Sequence, residues 1–109
     1  MATFNQMEFS QKEVYQLINL APRPLWLVGA DLSEANLSRA PLCEADLAYA
    51  NLQGADLRGA DLESASLCSA NLSFADLRNA NLKDANMEGA NLEGVKLQGA
   101  TMPDGRTYY

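Results

Sequence analysis

The sequence predicts an all-β solenoid, closed at its start by a short N-terminal capping α-helix. Three observations carry this expectation. From residue 30 to residue 99 the chain reads in units of five, each built around a central Leu or Met. Within a unit the order is Ala, then Asp or Asn, then Leu, which is the in-out-in alternation of an extended segment. Many units then end on a residue suited to a tight corner: Gly54, Gly59, Gly89, Gly94 and Gly99, with Asn79, Asp84 or Ser at several others.

The helix comes first along the chain. Ser10 with Glu13 three residues later reads as a capping box, and Phe9 with Val14 as a hydrophobic staple. Val14, Leu17, Ile18 and Ala21 form an apolar stripe at helical spacing, so a helix is expected from about Gln11 to Leu20. Ala21-Pro22-Arg23-Pro24 ends it, because a residue before Pro leaves the helical region. A solenoid exposes its core at each end, so residues 1–24 are expected to cover the first coil. The helix is short and nearly neutral, a poor match to a membrane-surface anchor.

Residues 25–104 are the expected solenoid. The centres are Leu32, Leu37, Leu42, Leu47, Leu52, Leu57, Leu62, Leu67, Leu72, Leu77, Leu82, Met87, Leu92 and Leu97. Ala stands two residues before each of them, with Val95 the one exception. A looser unit precedes this run at 25–29 and another follows it at 100–104. On an α-helix five residues advance ~500°, so the Leu residues would share no face. On one straight strand an odd period would throw successive Leu residues to opposite faces. The chain must therefore turn a corner after every three extended residues, with Ala and Leu inside and the other three positions outside. Gly and Asn at the last position supply the positive φ that a type II turn requires at its third residue. Stacked coils would then pair at the strand spacing of ~4.8 Å. Pro41 donates no hydrogen bond and belongs on an edge, hence in the first coil. Residues 105–109 are a short tail after the turn Met102-Pro103-Asp104-Gly105, and the Tyr108–Tyr109 pair is expected to lie over the last coil.

These units resemble the pentapeptide-repeat family, whose motif is A(D/N)LXX. The resemblance covers residues 30–99 almost without a break, and loosely 25–104. It implies a right-handed quadrilateral β-helix with four units per coil, so that sixteen units give about four coils. The residues themselves leave three sides and four sides open: the middle polar residue matches no better at a lag of twenty than at fifteen. The ending Met102-Pro103-Asp104-Gly105 also resembles a common terminus of small members of the family.

Composition narrows the function. With 109 residues the chain is one domain, and its 48% apolar content is dominated by Leu and Ala, with aromatics only 7%. A net charge of -6 disfavours direct binding to nucleic acid or to anionic lipid. The absence of histidine removes the commonest general base and metal ligand. No nucleophile motif is present, so no catalytic, cofactor or metal residue is assigned. The start of the chain lacks a basic, apolar leader and no stretch is long enough to span a membrane, which makes a cytoplasmic location the expectation. Cys43 and Cys68 both follow a centre and point outward; twenty-five residues apart, they are expected as free thiols.

Candidate sites lie on the outside. The middle Asp and Asn residues recur in almost every unit, and this regularity marks them as servants of the local backbone rather than a carboxylate site. Wound onto four sides, one side carries Arg39, Arg58, Arg78 and Lys96 against Asp56 and Asp76. The next carries Glu44, Asp61, Glu63, Asp84 and Asp104 against Lys83. Arg58 and Arg78 would be stacked neighbours that repel, a hint of an anionic or carboxylate partner. Tyr49 and Phe74 sit at outward corners as candidate anchors. The expected function is a non-catalytic protein-interaction or scaffold module, present as a monomer or an end-to-end dimer. The alternative, implied by the resemblance, is a DNA-mimicking inhibitor of an enzyme such as gyrase. Residues 25–104 hold twelve carboxylates but five cations, and the basic side would repel a cationic DNA groove, which argues against that alternative.

Overall fold

The computed structural model describes Ile18, Asn19 and residues 24–109. Ile18 and Asn19 are helical, and Ile18 is fully buried in the same core as the Leu and Ala residues. The rest of the expected helix, with its capping box and staple, lies outside the described residues.

The repeat geometry follows from where each backbone N–H finds its acceptor. The unit Asp61–Ala65 shows all five. The Asp61 N–H donates to Ala40 O of the preceding coil at 3.0 Å, and the Leu62 N–H to Asn81 O of the next coil at 2.8 Å. The Ser64 N–H donates to Lys83 O at 2.8 Å, and the Ala65 N–H closes the corner on Leu62 O at 3.0 Å. The remaining donor, the Glu63 N–H, is taken by the Asp61 carboxylate at 3.1 Å. Every donor is thus satisfied within the unit or by a coil above or below it, as a stable backbone demands.

Pairing occurs at a spacing of twenty residues throughout, which makes the winding four-sided. The first side stacks Trp26, Asp46, Ser66 and Asn86 as parallel rungs; the second stacks Asp31, Asn51, Asn71 and Asn91. The third stacks Asn36, Asp56, Asp76 and Lys96, and the fourth Pro41, Asp61, Asn81 and Thr101. Pro41 is the first rung of its ladder, where its missing N–H costs no pairing.

The corner residue adopts the left-handed conformation in every unit from 25–29 to 95–99, whether it is Gly (Gly54, φ 68°) or not (Phe74, φ 60°; Arg39, φ 58°). Non-Gly residues pay strain there, and the turn hydrogen bond from Ala to Leu holds them in it. Ala and Leu fill the interior from Leu25 to Ala85. Two features depart from the simple in-out rule. Ser73, at an outward position, is buried, its hydroxyl bonded to Asn71 Oδ1 at 2.6 Å. In the last coil Met87, Leu97 and Met102 are only partly covered and Leu92 is 38% exposed, since no further coil packs on them.

The tail departs from expectation as well. It turns back at Gly105, and Thr107 pairs antiparallel with Thr101. The Tyr108 N–H donates to Ala100 O and the Gly99 N–H to Tyr108 O. The backbone of the tail thereby closes the open edge of the fourth side. Of the two Tyr residues, Tyr108 is 45% exposed and Tyr109 wholly so. Main-chain donors at an unpaired edge are a stronger demand than ring burial.

Candidate functional site

All eleven middle Asp and Asn residues of the repeat accept a hydrogen bond from the backbone N–H two residues on. These Asx turns tie the middle side chains to the corner that follows. What differs from unit to unit, and so can carry recognition, is the side chain at the fourth and fifth positions.

The register of the third side places Arg39, Arg58, Arg78 and Lys96 on it, one to a coil. The predicted repulsion between Arg58 and Arg78 is relieved, however, by pairing within each coil. Arg58 Nε and Nη2 donate to the two Asp56 oxygens at 2.9 and 2.7 Å. Arg78 repeats this on Asp76 at 2.9 and 2.6 Å, and Asp76 also lies 4.0 Å from Arg58 Nε. Hydrogen bonds from Arg58 hold the Asp56 carboxyl below its usual range despite partial burial, and those from Arg78 do the same for Asp76, helped by the Lys96 charge. Reciprocally, the carboxylates raise both guanidinium groups. Among the described residues Arg39 forms no ion pair. It borders a shallow groove of about 560 Å³ with Ser38, Arg58, Gly59 and Asn79.

The fourth side gathers Glu44, Asp61, Glu63 and Asp84. One grouping there was not foreseen: the ligand-type atoms of Cys43, Asp61 and Glu63 lie within 4.8 Å of one another. Cys43 and Glu63 are twenty residues apart, so the coil period would have found it. Burial pushes the Cys43 thiol up, and the charges of Asp61, Glu44 and Glu63 push it further. The thiol is therefore protonated at neutral pH, the opposite of a prepared metal ligand. Both cysteines are free and half-buried.

The first side is the least charged, bearing only Asp46 and Glu88. It presents Trp26, 45% exposed, with Val28 beside it and Tyr49 at its corner, 68% exposed. Phe74, 58% exposed, occupies a corner of the second side. No described helix is long and apolar enough to cross a membrane.

The family model for pentapeptide repeats (8 copies) matches residues 27–63 and 60–99. The chain belongs to the pentapeptide-repeat family. Solved relatives agree. A pentapeptide repeat protein from the Arabidopsis thaliana thylakoid lumen is 38% identical, with a TM-score of 0.73, covering 93% of this chain and 63% of its own. HetL, a pentapeptide repeat protein involved in heterocyst differentiation regulation from the cyanobacterium Nostoc sp. strain PCC 7120, is 44% identical with a TM-score of 0.50, covering 76% of this chain and 40% of its own. A further pentapeptide repeat protein from Nostoc PCC 7120 is 42% identical with a TM-score of 0.50, covering 83% and 74%. This chain thus spans less than two thirds of the first two. No curated protein sequence matches it. The family fold is the right-handed quadrilateral β-helix, and the pairing at twenty residues is its signature.

Proposed function

We propose that this chain is a non-catalytic binding module whose partner is another protein, recognised by outward side chains on the flat sides of the β-helix. One observation carries the reading. The eleven regular polar residues are bound to the backbone, while the fourth and fifth positions vary on a lattice fixed by the inter-coil hydrogen bonds. A rigid surface loses little conformational entropy on binding, which favours recognition of a macromolecular face. The exposed Trp26 and Tyr49 are residue types that dominate binding energy at such faces. Duplex mimicry fits less well, because the third side interrupts the negative surface with four cations.

The test is capture with the immobilised chain beside four variants. Each variant has the fourth- and fifth-position side chains of a single side replaced by Ser or Gly. We expect a saturable protein partner retained by the parent and lost on one side's variant, or on two adjoining ones, with all four variants still folded. Equal retention by all four, or no saturable protein partner, would overturn the proposal.

A further inference from the structure

The geometry points to a carboxylate-binding groove at the corner between the third and fourth sides, where Arg39, Arg58 and Asn79 around Gly59 seat an Asp or Glu side chain of a partner protein. This deepens the reading of the chain as a protein-binding module and rests on it.

The groove exists because Gly59 has no side chain. The corner column runs Arg39, Gly59, Asn79, one residue per coil. A Cβ at Gly59 would stand in van der Waals contact with Arg39 Cγ, at 3.4 Å, so a longer side chain there would take up the space beside the Arg39 stem. The resulting groove, about 560 Å³, is ample for a carboxylate with its methylene stem.

Its walls carry cationic donors in fixed places. The Arg39 N–H donates to Arg58 O at 2.8 Å, which sets the two residues on adjacent coils, Arg58 diagonal to Arg39 and Gly59 directly across from it. Arg58 is already oriented: Asp56 takes its Nε and one Nη2 hydrogen. A guanidinium has five N–H donors, so about three remain on Arg58 for a ligand. Arg39 has no ion-pair partner within 4.0 Å among the described residues. Two Arg residues lining one groove can each offer a guanidinium to a single carboxylate, the charge-assisted pairing in which Arg is strongest.

The source of that carboxylate follows from the surrounding field. The chain carries a net charge of -6, and the adjoining fourth side has five carboxylates against Lys83. A polyanion such as duplex nucleic acid or an anionic bilayer would be repelled over most of its length. An acidic side chain on a protein segment running along the third side brings its charge only to the groove.

Nuclear magnetic resonance on the isotope-labelled chain tests this directly. The probes are a peptide with three Glu residues in a Gly-Ser background with blocked ends, the same peptide with Gln for Glu, and inorganic phosphate. The expected result is saturable shifts confined to Arg39, Arg58, Gly59 and Asn79 with the Glu peptide and none with the Gln peptide. Arg39→Gln should weaken the Glu peptide about tenfold, the loss of one charge-assisted contact. Gly59→Asn should weaken it comparably by taking up that space while both Arg residues remain. Asn is already accommodated in that column at Asn79 with φ 62°, so the variant is expected to fold. Shifts spread equally over Lys83 and Arg106, unchanged binding in either variant, or tighter binding of phosphate than of the Glu peptide would each overturn the proposal. Such a failure leaves the protein-binding reading standing, since that reading is decided by the partner and the side-specific variants.

Discussion

Asn81 shows how much of each unit is fixed by a single side chain. Its Oδ1 accepts the Lys83 N–H at 3.1 Å, a donor that no neighbouring coil reaches. Asn81→Ala is expected to cost about 1 kcal/mol, the usual net worth of one such bond. Lys83→Ala, which alters only an exposed side chain, should stay within about 0.5 kcal/mol. Urea unfolding of the two variants checks this, and equal costs would contradict the Asx role. The role was legible in the sequence, because only a local backbone need repeats with every unit. The Arg58–Asp56 and Arg78–Asp76 clasps were not. A fourth-position Arg two residues after an Asp reads from sequence as a charge, and only the corner geometry turns it back onto its own unit. These clasps bear on pH. Asp56 and Asp76 titrate below their ordinary range when folded, so their stabilising contribution is present above the unfolded carboxylate range. It is lost as pH falls through the depressed folded values. Asp76→Asn keeps the Oδ1 acceptor but loses the charge. Its stability deficit relative to the parent should be largest at neutral pH and should close in strong acid. A deficit that persists unchanged in acid would mean the clasp contributes nothing.

At the scale of the element, the corner governs both strain and packing. The Phe74 ring lies across the next corner, so that a Cβ on Gly94 would stand 2.5 Å from its Cδ1. Gly94 also has φ 68°. Gly94→Ala is therefore expected to cost about 1–2 kcal/mol from the left-handed conformation, plus displacement of the ring. In a Phe74→Ala background the cost should fall to the strain alone, which a double-mutant cycle measures; an unchanged cost would remove the ring from the explanation. Positive φ at the last position was legible from its Gly and Asn content. The number of sides was not, because identical units make every multiple of five look alike. The corner column held a weak clue: at twenty residues Glu34, Arg39, Phe74 and Asn79 each meet Gly, whereas at fifteen Glu34 meets Tyr49. The groove beside Arg39 was illegible for the same reason, since its residues come together only through the coil period. The antiparallel pairing of the tail was not legible, because the open edge it closes exists only once the coils are stacked.

For the whole molecule, one narrow core of Leu and Ala runs through the stacked coils. Leu62 is fully buried while Glu63, one residue on, faces outward. Leu62→Asp is expected to unfold or aggregate the chain, because it places an unpaired carboxylate where no donor can reach it. Glu63→Ala should change stability by no more than about 0.5 kcal/mol. Similar melting of the two would contradict the in-out assignment. Both the shared faces and the carboxylate groove depend on which outward residues stack, and that depends on the winding.

The winding can be measured with the native Cys43. In a Cys68→Ser background, Glu63→Cys places a second thiol twenty residues on, directly across the ladder between Pro41 and Asp61. Parallel neighbours ~4.8 Å apart fall within the Cα range that a disulfide bridges. Arg58→Cys in the same background stands fifteen residues on, on the third side rather than the fourth. Four-sided winding predicts that mild oxidation of the folded monomer closes Cys43 to position 63, read by mass as the loss of two hydrogens, and leaves the pair with position 58 open. Closure to position 58 with position 63 open would mean that the sides are three and that the faces assigned here are wrong.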